Sequence, residues 1–153
     1  MQPITEPIRE QDIEAVARLR HAAFFEGSGR SLADDVADLR KLLAGDGFET
    51  ALIVRVGGVP AGTCLLVRNE LEPAHDLTPW LAGLAVAPDH QRRGIGTALA
   101  RAIEAHAASA DVSELYVYTW QARDFYATLG WVAVEEFEQH GAPMLLMSRK
   151  LRL

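Results

Sequence analysis

The turn around Gly94 and Gly96 constrains the fold more than any other feature of the sequence, because it separates two segments with different hydrophobic patterns. Before the turn, Trp80 to Val86 is a short, continuously apolar run, which is typical of a buried strand. After the turn, apolar residues recur at the spacing of one helix face: Ile95, Leu99, Ala102, Ile103 and His106. Such a strand, turn and helix predict an α/β protein in which helices pack on a sheet.

The other segments predict a single α/β domain over residues 1–153, with a mixed central sheet and helices on both of its faces. The two glycines between Val56 and Val59 are suited to a tight hairpin turn. The predicted elements are, in chain order, a strand over Ile4–Arg9, helices beginning at Asp12 and Ser31, a hairpin of Thr50–Val56 and Val59–Arg68, the central strand and helix, a strand at Leu115–Tyr118, a short helix over Arg123–Leu129, and strands at Trp131–Val134 and Met144–Ser148. The start at Ser31 resembles a capping box that Asp34 completes.

Composition and charge exclude several classes of function. Fifteen Lys and Arg residues against 21 Asp and Glu give a net charge of −6, which is the wrong sign for a protein that binds nucleic acid over its whole surface. No apolar stretch approaches the roughly 18 residues of a membrane span, and the first residues do not resemble a signal peptide. Cys64, the single cysteine, lies in an apolar run and is expected to pack as a small hydrophobe. We therefore expect a cytoplasmic protein with no membrane or nucleic-acid partner.

The glycine turn, Gln91 to Thr97, has the chemistry of an anion site. Free N–H groups and the positive end of the dipole meet at the start of the following helix, and Arg92 and Arg93 add charge beside it. Such a turn suits a pyrophosphate, although spacing alone is equally compatible with a tight turn and solvated arginines. A Rossmann fingerprint would need Gly or Ala at Leu99, and the Gly-Lys-Ser/Thr of a P-loop is absent.

Two segments carry a family resemblance. Leu84–Leu99 resembles the acetyl-CoA-binding motif of the GNAT superfamily of N-acetyltransferases, Q/R-x-x-G-x-G/A, and Asp124–Trp131 resembles its Phe-Tyr-x-x-Leu-Gly-aromatic segment. The resemblance implies a GNAT-like fold with acetyl-CoA as acyl donor. It also implies that main-chain groups of Leu84, Ala85 and Val86 pair with the pantetheine arm. The residues implied to wrap the pyrophosphate are Arg92, Arg93, Gly94, Ile95, Gly96 and Thr97.

The same resemblance implies that Tyr126 is the general acid, because a tyrosine stays protonated at neutral pH and can donate to a departing thiolate. The general base departs from the family pattern. Trp80 stands where several members have a glutamate, and the connection Thr119–Ala122 lacks the asparagine of many members. Candidates in the loop before Trp80 are Glu70, Glu72, His75 and Asp76, of which Glu70 and His75 are favoured, although residues of this kind are more often simply solvated loop residues. The histidine spacing indicates no metal site.

The acceptor pocket is expected to include residues between the first two helices and aromatic residues of the sheet. The candidates are Phe24, Phe25, Glu26, Trp80, Tyr116 and Tyr118. An aromatic and acidic pocket would attract a cationic amine, although ordinary core packing explains these residues equally well. The sequence therefore favours an N-acetyltransferase that acts on the primary amine of a small molecule. A peptide N-terminal acetyltransferase and a non-catalytic acyl-CoA sensor are the alternatives, and a homodimer is left open.

Overall fold

The computed structural model describes residues 3–70 and 76–151, which form one seven-stranded mixed sheet with helices on both faces. This confirms the predicted fold class. The elements are β1 Thr5–Pro7, α1 Ile13–Arg20, α2 Leu32–Leu43, β2 Thr50–Val56, β3 Val59–Val67, β4 Trp80–Val86, α3 Ile95–Ser109, β5 Glu114–Thr119, α4 Arg123–Thr128, β6 Val132–Gln139 and β7 Ala142–Lys150. None of the helices in these ranges is long and apolar enough to cross a membrane.

The sheet order is β1-β2-β3-β4-β5-β7-β6, and only the β4–β5 pair is parallel. These two strands pair at a single position, Trp80 with Tyr116, and then diverge. Gly83, with a φ of +61°, lies where β4 also shifts its register against β3. Past this bulge, the edge of β4 that faces β5 has no strand partner among the described residues. The sheet therefore opens at its centre.

The two faces of the sheet bury separate clusters. Helices α3 and α4 cover one face, where Leu99 and Ile103 pack with Leu66, Leu81 and Leu115. Gly62 permits this approach, because a Cβ at that position would stand 2.8 Å from Cγ2 of Ile95. Helices α1 and α2 cover β2 and β3 on the other face. Beyond them, an aromatic cluster extends over β4, β5 and β6: Trp80, Tyr116, Tyr118 and Phe137.

Helix starts were predicted well. Ser31 and Asp34 form the expected capping box of α2, with both N–H···O distances at 3.0 Å. Helix α1 begins after Asp12, as expected, but the Asp12 carboxylate accepts from the N–H of Arg9 and from Arg55 rather than capping α1. The chain then continues from α1 into a π-helical turn, His21–Phe25.

The last hairpin is longer than the sequence predicted. Strands β6 and β7 pair from Val132 to Gln139 and turn at His140 and Gly141, both with positive φ. The polar residues Glu135 to Gln139 concealed this extension, because β6 is an edge strand with mostly exposed residues and has no apolar alternation. Glu104 of α3 is buried and accepts a hydrogen bond from Trp131 Nε1 at 3.1 Å.

Candidate active site

The start of α3 has open backbone donors. Gly94 occupies the N-cap position with a φ of +81°, and no side chain caps the helix. Arg92 is also in the left-handed region, at a φ of 65°. Alternation of this kind turns successive N–H groups towards one point and makes a concave anion site. The turn can thus hold a pyrophosphate mainly through its main chain, and the exposed side chains of Arg92 and Arg93 add positive charge.

The glycines of the turn have different tasks. A Cβ on Gly94 would meet no protein atom within 4 Å, so the space beside it is open for a ligand. A Cβ on Gly96 would stand 3.4 Å from the ring of Phe125, so this glycine lets α4 pack closely against the start of α3. The Gln91 amide donates to the carbonyl of Val86 at 3.1 Å, which ties the turn to the end of β4.

Tyr126 lies on α4 and belongs to the buried cluster between α3 and the sheet. Its residue is only 3% exposed, and its ring packs at 5.1 Å from Phe125 and 5.4 Å from Trp131 between ring centroids. The hydroxyl has no hydrogen-bond partner among the described residues, so it is available to a ligand atom. Burial raises the pKa of Tyr126 well above 10, and the neighbouring Cys64 acts in the same direction. The phenol is therefore a proton donor throughout the neutral range.

A cleft of about 1010 Å³ lies on the opposite face of the sheet from α3. The Gly83 bulge lies on its floor, beside Leu65 and Ala82. The walls come from the π-helical turn, α2, the Thr119–Gln121 connection and the β6–β7 hairpin, and include Phe24, Phe25, Tyr118, Trp120 and Met144. The bulge is thus where the cleft meets the opening between β4 and β5.

The predicted acceptor residues divide into two groups. Phe24, Phe25 and Tyr118 line the cleft. Trp80 does not, because it is 1% exposed, packs in the aromatic cluster, and donates from Nε1 to the carbonyl of Leu77 at 2.8 Å. Tyr116 packs beside Trp80 with ring centroids 5.7 Å apart, and Glu26 is exposed outside the cleft lining. None of these three residues lines the cleft, and their role in binding the acceptor stays a prediction.

Of the candidate bases, the structure brings Glu70 to the cleft. Glu70 is exposed as a whole residue, but its carboxyl group is partly desolvated. This desolvation raises the pKa of Glu70, while the charge of nearby Arg20 opposes the rise. Tyr118 is close enough that the Glu70 charge adds to the burial that raises the pKa of the phenol. Asp76 is exposed and does not line the cleft. Glu72 and His75 lie outside the described residues.

Sequence reasoning missed a charged network in the cleft. The carboxylate of Asp35 is 1% exposed and accepts from Nε of Arg20 at 2.9 Å and from Arg30 at 3.0 Å. Arg30 also bonds to Asp38 at 2.6 Å. The signal was present, because Arg20 and Asp35 fall at helical spacing on the buried stripes of α1 and α2. Because arginines pair with Asp35 and Asp38, the cleft contains cations besides the aromatic and acidic residues that were expected.

Comparison with known proteins agrees with this geometry. The model of the acetyltransferase (GNAT) family matches residues 13–131. A structure of aminoglycoside 6'-N-acetyltransferase in complex with coenzyme A is 16% identical and superposes with a TM-score of 0.79, over 98% of each chain. A ribosomal-protein-alanine N-acetyltransferase from Brucella melitensis is 14% identical with a TM-score of 0.79, over 96% of this chain and 99% of that one. An acetyltransferase from Thermus thermophilus is 25% identical with a TM-score of 0.68, over 98% of this chain and 97% of that one.

A search of curated protein sequences found no significant match. The family model covers more than half of the chain, and the chain therefore belongs to the GNAT family of acetyltransferases. It is an N-acetyltransferase that uses acetyl-CoA as its acyl donor.

Proposed function

We propose that this enzyme acetylates the primary amine of a small molecule, which enters through the cleft and reaches the donor at the Gly83 bulge. One observation carries the proposal: the bulge is shared by the cleft and by the opening between β4 and β5. The cofactor residues proposed here are those of the turn and of the free edge of β4, from Leu84 to Thr97. Acetyl-CoA, when bound there, supplies a thioester carbonyl that is open to attack by an amine.

Tyr126 and Glu70 have complementary tasks in this proposal. Tyr126 donates its proton to the departing thiolate sulfur: its raised pKa keeps the phenol protonated until that step, and its hydroxyl bonds no other residue in the described part of the chain. Glu70 accepts a proton from the amine, directly or through one water, because only the neutral amine is nucleophilic. At pH 7, an amine with a pKa near 10.4 is neutral in only about one molecule in a thousand. A base in the cleft that removes the ammonium proton therefore greatly increases the nucleophilic fraction of the bound amine.

An amine panel tests the proposal through release of CoA thiol from acetyl-CoA. Small primary amines, peptides with free N-termini and a sample without acceptor form its three arms. We expect acceptor-dependent thiol release that is fastest with small amines. Higher kcat/KM for peptides would favour the N-terminal acetyltransferase, and binding of acetyl-CoA without turnover in any arm would favour an acyl-CoA sensor.

A further inference from the structure

The floor of the cleft presents a guanidinium group with two unused ends. Arg20 ends α1, and its side chain is 12% exposed. Its Nε donates to buried Asp35, whereas Nη1 and Nη2 donate to no residue within 3–70 and 76–151. Nη1 occupies the space that a side chain on Gly83 would need, so this end of the guanidinium lies directly over the bulge. An anion in the cleft could therefore receive two N–H donors close to the reaction centre.

Protein contacts hold this guanidinium in place. Asp35 fixes Nε, and the face of Phe25 lies 5.6 Å from Cζ of Arg20. Arg30 differs in position, because its Nη2 bonds both Asp35 and Asp38 and its Nε is buried without a partner among the described residues. Of the two arginines in the network, Arg20 is the one that lies over the Gly83 bulge and has both terminal nitrogens left for a ligand, and its orientation is set before any ligand arrives.

A negative group faces the same end of the cleft. Glu70 is near enough to Arg20 for the two charges to influence each other, yet they form no ion pair within 4.0 Å. A ligand between them would meet a cation on one side and a carboxylate on the other. Phe24, Phe25, Tyr118 and Trp120 supply aromatic surface in the same cleft.

We infer that the acceptor is a zwitterionic amine of the amino-acid type, whose carboxylate binds the terminal nitrogens of Arg20 while its amine faces Glu70 and its apolar side chain contacts the aromatic walls. This inference rests on the proposed function and names its substrate class. It differs from the cationic acceptor expected from the sequence, because Glu26, the acid that suggested that acceptor, lies outside the cleft lining, and Asp35 and Asp38 within the cleft are paired with arginines. A polycationic amine would bring unpaired positive charge against Arg20.

Three acceptors with the same ring test this inference: L-phenylalanine, L-phenylalaninamide and phenethylamine, each assayed for kcat/KM with acetyl-CoA. Loss of a charge-assisted pair costs about 10- to 100-fold, so we expect L-phenylalanine to exceed both other amines by that factor. The amide has the less basic amine, and this difference opposes the expected preference. The variant Arg20→Met should reduce the ratio of acid to amide to near unity.

Matched variants separate recognition from folding. Arg20→Met leaves buried Asp35 with one partner, so the double variant Arg20→Met with Asp35→Asn removes the uncompensated charge. Arg30→Met also takes one partner from Asp35 but keeps Arg20, and it should retain the preference for the acid. A ratio of acid to amide that is near unity in the wild-type enzyme, retained in the Arg20 variants, or lost equally in Arg30→Met would overturn the inference. So would a higher kcat/KM for aspartyl-phenylalaninamide, which would indicate an acidic peptide end. Turnover of no amine at all would instead contradict the proposed function.

Discussion

The two halves of the site are built in different ways. The proposed donor half is one continuous segment, Leu84–Thr97, and the groups we propose for binding are mainly its backbone N–H and C=O groups. The acceptor half is the cleft, which is assembled from side chains of α1, α2, β5 and the β6–β7 hairpin. A main-chain site requires particular backbone conformations and therefore glycines at fixed positions. A side-chain site requires only that distant residues meet, and it leaves no short motif.

The largest expected effect tests whether the donor half depends on backbone conformation. Gly94→Val places a β-branched residue at a φ of +81° and fills the open space beside the turn. We expect the affinity for acetyl-CoA, measured by calorimetry, to fall by more than about 100-fold, since strain and lost contacts add. Gly58→Val is the matched control, because Gly58 has the same φ of +81° and open surroundings in the β2–β3 turn. Unchanged affinity in a folded Gly94→Val protein would contradict the assigned donor site.

The next effect concerns the chemical step between the two halves. Tyr126→Phe removes only the hydroxyl and keeps the ring contacts with Phe125 and Trp131. We expect kcat to fall by about 10²- to 10⁴-fold with little change in the dissociation constant of acetyl-CoA. Tyr116→Phe serves as the control, since Tyr116 packs in the aromatic cluster away from the cleft lining. Full kcat in Tyr126→Phe, under conditions where chemistry limits the rate, would leave packing as the only role of Tyr126.

A smaller effect, about 10²-fold in kcat/KM, is expected for Glu70→Gln in the acceptor half. Desolvation raises the pKa of Glu70, so its base form is lost as pH falls through a pKa above the usual value of a glutamate. In the wild-type enzyme, log kcat/KM should be flat above the pKa of Glu70, where the base removes the ammonium proton, and should approach a slope of one against pH below it. Glu70→Gln depends on the small neutral fraction of the amine, so its slope should be one on both sides of that pKa, with no break.

Asp76→Asn is the control for Glu70, because Asp76 lies in the same loop but is exposed and outside the cleft. Its pH profile should follow that of the wild-type enzyme. If the Glu70→Gln profile does the same, solvent or another group removes the amine proton, and the base assigned to the acceptor half is wrong.

The difference between the two halves also explains which features of the protein could be predicted from its sequence. Elements with a strong local signal were predicted, such as the Ser31 capping box and the Gly57-Gly58 hairpin, because neighbouring residues determine them. The long β6–β7 hairpin was missed because an edge strand needs no apolar alternation. Trp80 was predicted to line the pocket from its position in a strand. That position alone does not show which loops cover each face of the sheet. The role of Arg20 in the cleft was not predicted, because it depends on contacts with Asp35 and Gly83, which are distant from Arg20 in sequence.

The smallest expected effect tests whether the acceptor half can be destabilised without a change in the donor half. Ser31 accepts from the N–H of Asp34 at the start of α2, a helix that forms one wall of the cleft. Ser31→Ala leaves that N–H without its cap, so the free energy of unfolding in urea should fall by about 1 kcal/mol. Ser109→Ala is the control, because the Ser109 hydroxyl donates to the His106 carbonyl in the last turn of α3 and satisfies no free N–H. The free energy of unfolding of this variant should change little.

Since no residue of α2 lies in Leu84–Thr97, the dissociation constant of acetyl-CoA should stay the same in Ser31→Ala, whereas KM for the amine should rise modestly. A parallel loss of affinity for acetyl-CoA would show that the two halves are mechanically coupled through the sheet, and the comparison between them would have to be abandoned.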